Sequence, residues 1–409
     1  MKRLFQVFNQ YDDAIWVRVC GTFLTKIAQF MMYPFLVLYM TEKFDSPVTV
    51  VTAIIGLESI AGFLINLFLG GLSDRVGRKL TMMVSLAVQA ICLTGFIFAD
   101  SLWLFAVLIV ILGAGSYIFF PAADAQIADS VPVEKRAKVY AMLGTAASLG
   151  IAVGPIIGLF TFQANPDFVF LFFACVSFLY LALVWWKIPE TLPVLSDHTE
   201  NRKQANIYKI SVRKHKHLFL ITLLAIPTSL FATQDWSTFP LYLKEQAPQH
   251  YDWMYSSLLS IGAAASATLQ IWIATLVEKR SASRAVLIGY MIAASAALGY
   301  AFFIHYGVLV AVRVISVVGN TLYNIHLDKF ISVYAPADMR GRYFSIFGLH
   351  WRVSEALGPF LGGVLLTAFS GRVMYIIFAL LLIVSGLVLS RMMEQLKDST
   401  AKPANTATE

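Results

Sequence analysis

Six ionisable side chains stand where an apolar environment should exclude them. Lys26, Glu58, Asp235, Arg313, Arg352 and Glu355 each fall inside a long hydrophobic run. A charge in such surroundings is costly unless it is paired or hydrated. A carboxylate there holds its proton more tightly when dry and gives it up more readily beside a cation or water. A group of this kind can take up a proton in one environment and release it in another. Lys26 lies about 16 Å and Glu58 about 15 Å into their runs, at about 1.5 Å per helical residue. Arg352 and Glu355 are three residues apart and share one helix face. Glu58 is therefore the first candidate for proton coupling and Glu355 the second. Asp235 is the third, because its outer position keeps it easier to hydrate. A plain structural ion pair is the competing reading for Lys26–Glu58 and for Arg352–Glu355.

Other chemistries find little support in the residues. There is no zinc spacing, no phosphate-binding glycine loop and no nucleophile elbow, so no metal, no cofactor and no enzymatic activity are expected. Cys20, Cys92 and Cys175 fall inside apolar runs and read as small packing residues. His198, His215 and His217 read as solvated polar residues of a soluble loop.

The elements that hold these groups are membrane-spanning helices. The chain has 409 residues, 58% hydrophobic and 13% charged, whereas a soluble domain carries about 25% charged residues. Twelve runs reach the length needed to cross a bilayer: 15–40, 48–72, 80–98, 102–127, 139–162, 168–186, 218–243, 253–277, 285–304, 307–330, 343–369 and 373–390. They are numbered here as spans 1 to 12. A barrel would instead show short alternating strands. The first run is too long for a signal-peptide core and is read as retained. Basic residues cluster in one set of loops, at Arg75, Arg78 and Lys79, then Lys135, Arg136 and Lys138, then Lys279, Arg280 and Arg284, then Arg340 and Arg342. The opposite loops hold only Lys43, Lys244 and Arg372. This asymmetry places both termini in the cytoplasm. It also accounts for the net charge of +7 without any nucleic-acid partner.

A polar stretch at 188–216 divides an N-terminal six-span half (1–187) from a C-terminal half with a short polar tail (217–409). The tail, "KDSTAKPANTATE", reads as disordered. The halves repeat. A shift of 204 positions brings Asp74 onto Glu278, Asp124 onto Asp328, Arg136 onto Arg340 and Gly144 onto Gly348. It also brings Gly154, Pro155 and Gly158 onto Gly358, Pro359 and Gly362. The expected fold is all-α and polytopic, twelve helices in two parallel six-helix repeats.

Two motifs make a resemblance specific. Gly70-Gly71-Leu72-Ser73-Asp74-Arg75-Val76-Gly77-Arg78-Lys79 follows the G-x-L-x-D-R-x-G-R-K pattern of the loop between spans 2 and 3 in the major facilitator superfamily. Gly150, Gly154, Pro155 and Gly158 in span 5 resemble the antiporter motif of its drug:proton exporters, with Leu159 where that motif ends in a second glycine. The span 4 arginine frequent in that group is replaced by Ile109, while Arg313 occupies the repeat-equivalent place in span 10. The resemblance implies that spans 1, 4, 7 and 10 line a cavity and that 3, 6, 9 and 12 are peripheral. Spans 3, 6, 9 and 12 indeed carry no charge between their ends. It further implies an inner-gate latch built from Gly70, Asp74, Arg75, Gly77, Arg78 and Asp129, with Arg78 pairing to Asp129. The span 5 glycines every fourth residue form a smooth face for close helix approach.

Lys26, Gln29, Tyr33, Tyr117, Phe120, Trp236, Asn320 and Asn324 on the expected cavity helices, with Arg352 of span 11, mix aromatic and polar groups, which suits an amphipathic small molecule. The sequence thus reads as a proton-coupled exporter of amphipathic compounds or drugs, working by alternating access as a monomer in the cell membrane, with the proton gradient as its energy source. The competing readings are a symporter or uptake carrier for a small polar solute, and a lipid-handling or sensor protein.

Overall fold

The computed structural model describes residues 12–69, 72–191, 215–277, 281–336 and 339–401. Gly70, the bulk of the expected linker, Glu278 (the repeat equivalent of Asp74) with Lys279 and Arg280, and the end of the tail lie outside the described residues. The protein is all-helical and polytopic, with the twelve spans arranged as two parallel six-helix repeats. Span 1 is α1 (Asp13–Lys43), span 2 is α2 (Val48–Leu69), and a single-turn α3 (Leu72–Val76) leads into span 3, α4 (Arg78–Ile97). Span 4 comprises α5 (Leu102–Tyr117) and α6 (Phe119–Ser130); span 5 is α7 (Val133–Ala164) and span 6 is α8 (Pro166–Lys187). Span 7 comprises α9 (Lys216–Thr233) and α10 (Phe239–Gln246), and span 8 is α11 (Tyr251–Val277). Spans 9 and 10 are α12 (Ala282–Phe302) and α13 (Tyr306–Tyr334). Span 11 comprises α14 (Arg340–Phe347) and α15 (Leu349–Ala368), and span 12 is α16 (Gly371–Ala401).

Spans 4, 7 and 11 are interrupted, where the sequence suggested continuous helices. Proline accounts for two of the breaks. Pro121 and Pro240 each remove a backbone donor and crowd the carbonyl four residues earlier, at Tyr117 and Trp236. Span 7 leaves the helical path over Gln234–Thr238 and span 4 at Ile118. Span 11 breaks at Gly348, whose backbone freedom weakens a helix interior. The tail also differs from expectation, since α16 continues to Ala401 and takes in its first residues.

Two compact units emerge, one formed by Met1–His198 with Trp236–Ala264 and the other by Thr199–Asp235 with Ala265–Glu409. In the first, Ala14, Val17, Met82, Leu86, Phe119, Tyr180 and Val184 pack one core from spans 1, 3, 4 and 6. At the far end of span 1, Glu42 pairs with Lys244 of α10, and Phe35 meets Tyr255 of α11 edge-on at 6.2 Å. In the second, Ile273, Ala285 and Leu322 pack spans 8, 9 and 10.

The 204-residue register is a register of contacts as well as of letters. A Cβ added to Gly95 would meet Leu108 at 3.1 Å, and one added to the equivalent Gly299 would meet the equivalent Val312 at 2.5 Å. The Ser85 hydroxyl donates to the Gly115 carbonyl at 2.7 Å. At the equivalent pair, a Cβ on Gly289 would lie 3.1 Å from the Gly319 carbonyl. Spans 3 and 4 therefore cross as spans 9 and 10 do. Long apolar side chains on the peripheral helices remain exposed, including Ile91, Phe178 and Val384, which suits a lipid-facing surface. Trp103 and Trp253 are exposed at the starts of α5 and α11, and Trp185 and Trp186 at the end of α8.

Candidate functional site

In span 1, the Lys26 ammonium donates to the Gln29 side-chain carbonyl at 2.7 Å, one helical turn on. One further turn along, the Tyr33 hydroxyl donates to a Glu58 carboxylate oxygen. Glu58 is buried. Span 4 closes on it from another side: a Cβ on Gly113 would lie 2.2 Å from the Glu58 carbonyl oxygen, so only glycine allows this approach. The Tyr117 ring covers Gly62, and its hydroxyl donates to Ser59 at 3.4 Å. Tyr33 of span 1 thus holds the Glu58 carboxylate, while Gly113 and Tyr117 of span 4 pack on span 2 at Glu58, Ser59 and Gly62. The sequence named Tyr33, Glu58 and Tyr117 without foreseeing that a tyrosine hydroxyl would face the acid. Phe120 stands apart, more than half exposed at 54%.

The span 5 glycines set the position of this part of span 1. A Cβ on Gly150 would meet Lys26 Cβ at 2.7 Å, one on Gly154 the Ile27 carbonyl at 2.8 Å, and one on Gly158 the Met31 carbonyl at 2.7 Å. Pro155 sits inside the same helix, α7. The repeat-equivalent Gly358 does the same for span 7. It accepts from the Gln234 amide at 3.2 Å, and a Cβ there would run into Thr233 Oγ1. The motif glycines are packing surfaces within each half.

The second unit carries its own charges. Asp235, on the unwound part of span 7, pairs with Arg313 of span 10. Both line a small cavity together with Asn320, and Asn320 accepts from the Asn324 amide at 2.6 Å. Trp236 follows Asp235 on the same unwound stretch and is half-buried. In span 11, Glu355 accepts from Trp351 Nε1 at 2.9 Å and from Arg352 at 3.2 Å. The expected Arg352–Glu355 pair is present, and Trp351 is an addition.

At the start of span 3, Arg78 joins Asp74 and Asp129 of span 4 at 3.3 Å. The expected Arg78–Asp129 contact is thus formed. Asp74 remains largely exposed, its side chain at 65%. Gly77 has φ +112°, a left-handed conformation that side-chain-bearing residues rarely adopt. Arg75 lies in α3, but its side chain lies outside the described residues.

Four participants escaped the sequence reading. Glu190, assigned to the linker, accepts from the Arg78 amide at 2.8 Å and the Lys79 amide at 3.2 Å. It thereby satisfies two free donors at a helix N-terminus. Its repeat equivalent, Glu394, accepts from Ser283 in the first turn of α12 at 2.9 Å. The repeat register had a signal for this pair, since Glu394 stands 204 positions after Glu190. Arg18 is buried at 5% exposure, donates to Tyr180 at 3.1 Å and lies 5.1 Å over the Phe119 ring. An arginine near the inner end of a span reads as a topology charge, which masked it. His215, expected to be solvated, is instead held 2.8 Å from the Tyr343 hydroxyl.

The Major Facilitator Superfamily family model matches residues 19–310 and 284–408. The uncharacterised MFS-type transporter YhjO of Bacillus subtilis (strain 168) is 31% identical over 401 residues, covering 97% of each chain. A Na(+), Li(+), K(+)/H(+) antiporter of Planococcus maritimus is 26% identical over 86% of this chain and 89% of its own. The multidrug resistance protein MdtG of Proteus mirabilis (strain HI4320) is 33% identical over 37% of this chain and 38% of its own. Among solved structures, a mutant of the nucleoside transporter NupG superposes with a TM-score of 0.81 at 12% identity, covering 93% of this chain and all of that one.

Proposed function

The chain belongs to the major facilitator superfamily, and from that premise we propose that it is a proton-coupled secondary transporter exporting amphipathic small molecules by alternating access. The observation that carries this reading is the Glu58 carboxylate, buried on span 2 and held by the Tyr33 hydroxyl of span 1. A carboxylate with one fixed neutral donor accepts a proton without leaving an unpaired charge. Movement of Tyr33 or water entry then changes how firmly the proton is held. Lys26, two turns away on the same helix as Tyr33 and cradled by Gly150, supplies a cation whose approach to Glu58 favours release. The aromatic groups Tyr33 and Tyr117 offer apolar faces beside polar edges, which suits amphipathic cargo. The chain's similarity to a Na(+), Li(+), K(+)/H(+) antiporter and to a multidrug resistance protein supports proton exchange and drug export. The basic loops support cytoplasmic termini in the cell membrane, and the protein works as a monomer.

The test is Glu58→Gln in proteoliposomes with an imposed pH gradient. The probes are ethidium, a cation, and 5-carboxyfluorescein, an anion. The wild-type chain is expected to accumulate at least one probe against its gradient. The variant keeps equilibrium binding and loses gradient-driven accumulation. Uphill transport at the wild-type rate in Glu58→Gln reduces that residue to a structural partner and moves the coupling role to Glu355.

A further inference from the structure

The ion pair in the second unit is not something the fold requires. Asp235 and Arg313 occupy the positions that Met31 and Ile109 occupy in the first repeat. Those two are buried apolar residues, at 2% and 1% exposure. The repeat-equivalent positions thus hold a thioether and an alkyl chain in one half and a carboxylate and a guanidinium in the other. Replacing a buried ion pair by apolar residues of similar size is often neutral or stabilising, so packing does not explain the charges.

The guanidinium is also incompletely used. Arg313 reaches Asp235 through one terminal nitrogen. Its Nε is buried and has no hydrogen-bond partner among the described residues. An arginine always carries its charge and presents five donors in a fixed fork, so a buried donor without an acceptor is costly. Beside it lies a cavity of about 40 Å³, bordered by Phe231, Asp235, Arg313, Ser316, Asn320 and Tyr323. Each water needs about 10–15 Å³ by this measure, so the space takes a group the size of a carboxylate. Ser316, Asn320 and Tyr323 bring neutral donors, and Phe231 brings an apolar face. Asp235 brings the unwound stretch of span 7 to the cavity wall, the kind of helix interruption that marks binding sites in transporters.

We propose that Arg313 is the anchor for an anionic oxyacid group, a carboxylate by preference, on an amphipathic substrate, and that Asp235 is the internal counter-ion this group displaces. In the empty site Asp235 neutralises the guanidinium. When a carboxylate enters, the guanidinium turns its fork to the ligand and Asp235 withdraws toward water. A cationic ligand gains nothing here, because the carboxylate that borders the cavity is already paired to Arg313. The proposal rests on the transport reading for the steps after binding, but the binding step is testable without transport.

The test uses the full chain in lipid nanodiscs and ¹⁹F NMR of 4-fluorobenzoate, with 4-fluorobenzyl alcohol as the neutral probe of similar shape. Wild type is expected to bind 4-fluorobenzoate. Arg313→Gln should weaken that binding at least about tenfold, the loss of a charged hydrogen-bonding partner being worth about 1.5–3 kcal/mol. Asp235→Asn should strengthen it several-fold, because the competitor is gone. The double variant Asp235→Met/Arg313→Ile installs the pair of the first repeat. It should fold with an unchanged unfolding temperature and lose the anion. The alcohol should bind all variants alike. Equal 4-fluorobenzoate affinity in wild type and the double variant overturns the proposal. So does weaker binding in Asp235→Asn, or no binding to either wild type or Asp235→Asn. Glu58→Gln leaves this binding intact, so failure of proton coupling and failure of the anion site are separate results.

Discussion

Single residues decide how closely these helices approach. Gly113 and Gly144 look alike in the sequence, and the repeat register singled out Gly144. Their surroundings are opposite. A Cβ on Gly113 would fall 2.2 Å from a backbone oxygen of span 2, whereas nothing lies within 4 Å of one on Gly144. Gly113→Ala must push span 4 from Glu58, and overpacking of this kind costs about 1–3 kcal/mol. Gly144→Ala adds only helix propensity and should be neutral or stabilising by up to about 1 kcal/mol. Unfolding temperatures in detergent distinguish them: equal values for the two variants would mean the close contact at Gly113 relaxes freely. The acids and bases within the spans were legible as residues, because a charge in an apolar run stands out. Their partners were not. Glu58 meets Tyr33 through the rotation of two helices, which spacing along either helix does not encode.

Elements were legible to the extent that hydrophobic length determines them. Ten helices among the described residues are long and apolar enough to span a membrane, and each coincides with an expected span. Interruptions were less visible. Pro34, Pro155, Pro227 and Pro359 sit inside helices, so Pro121 and Pro240 carried no distinguishing mark until their neighbours were placed. Pro240→Ala should let helix propagate from α10 back toward Asp235 and narrow the cavity at Arg313. The measurement is 4-fluorobenzoate affinity, which should fall while 4-fluorobenzyl alcohol binding holds. An unchanged ratio would place the cause of the break elsewhere. The start of α4 depends on a residue more than a hundred positions away. Glu190→Ala removes the acceptor for two backbone amides and should cost about 1 kcal/mol, the usual worth of a helix cap. It should also make the Arg78–Lys79 and Lys79–Leu80 bonds, in the first turn of α4, more susceptible to trypsin. Cleavage and stability equal to wild type would show that water replaces the carboxylate at no cost.

For the molecule as a whole, the repeat was the most informative reading, because one shift aligned letters whose contacts also align. The halves still differ in where they keep charge, with Arg18, Lys26 and Glu58 on spans 1 and 2, and Asp235, Arg313, Arg352 and Glu355 on spans 7, 10 and 11. The basic loops predict which side each loop faces. With Cys20, Cys92 and Cys175 replaced by serine, Lys135→Cys should react with a membrane-impermeant maleimide only from the cytoplasm, and Gln249→Cys only from outside. The reverse pattern would invert the topology.

The exposed tryptophans give this arrangement an optical counterpart. In the proposed topology, Trp103 and Trp253 stand where their helices begin on the outer side, Trp185 and Trp186 stand at the inner end of α8, and the exposed Trp272 lies within two turns of the inner end of α11. Indole rings favour the headgroup level of a bilayer. The native chain is therefore its own depth gauge. Lipids brominated near the headgroup should quench its fluorescence strongly and lipids brominated at the chain ends weakly, with no dye attached.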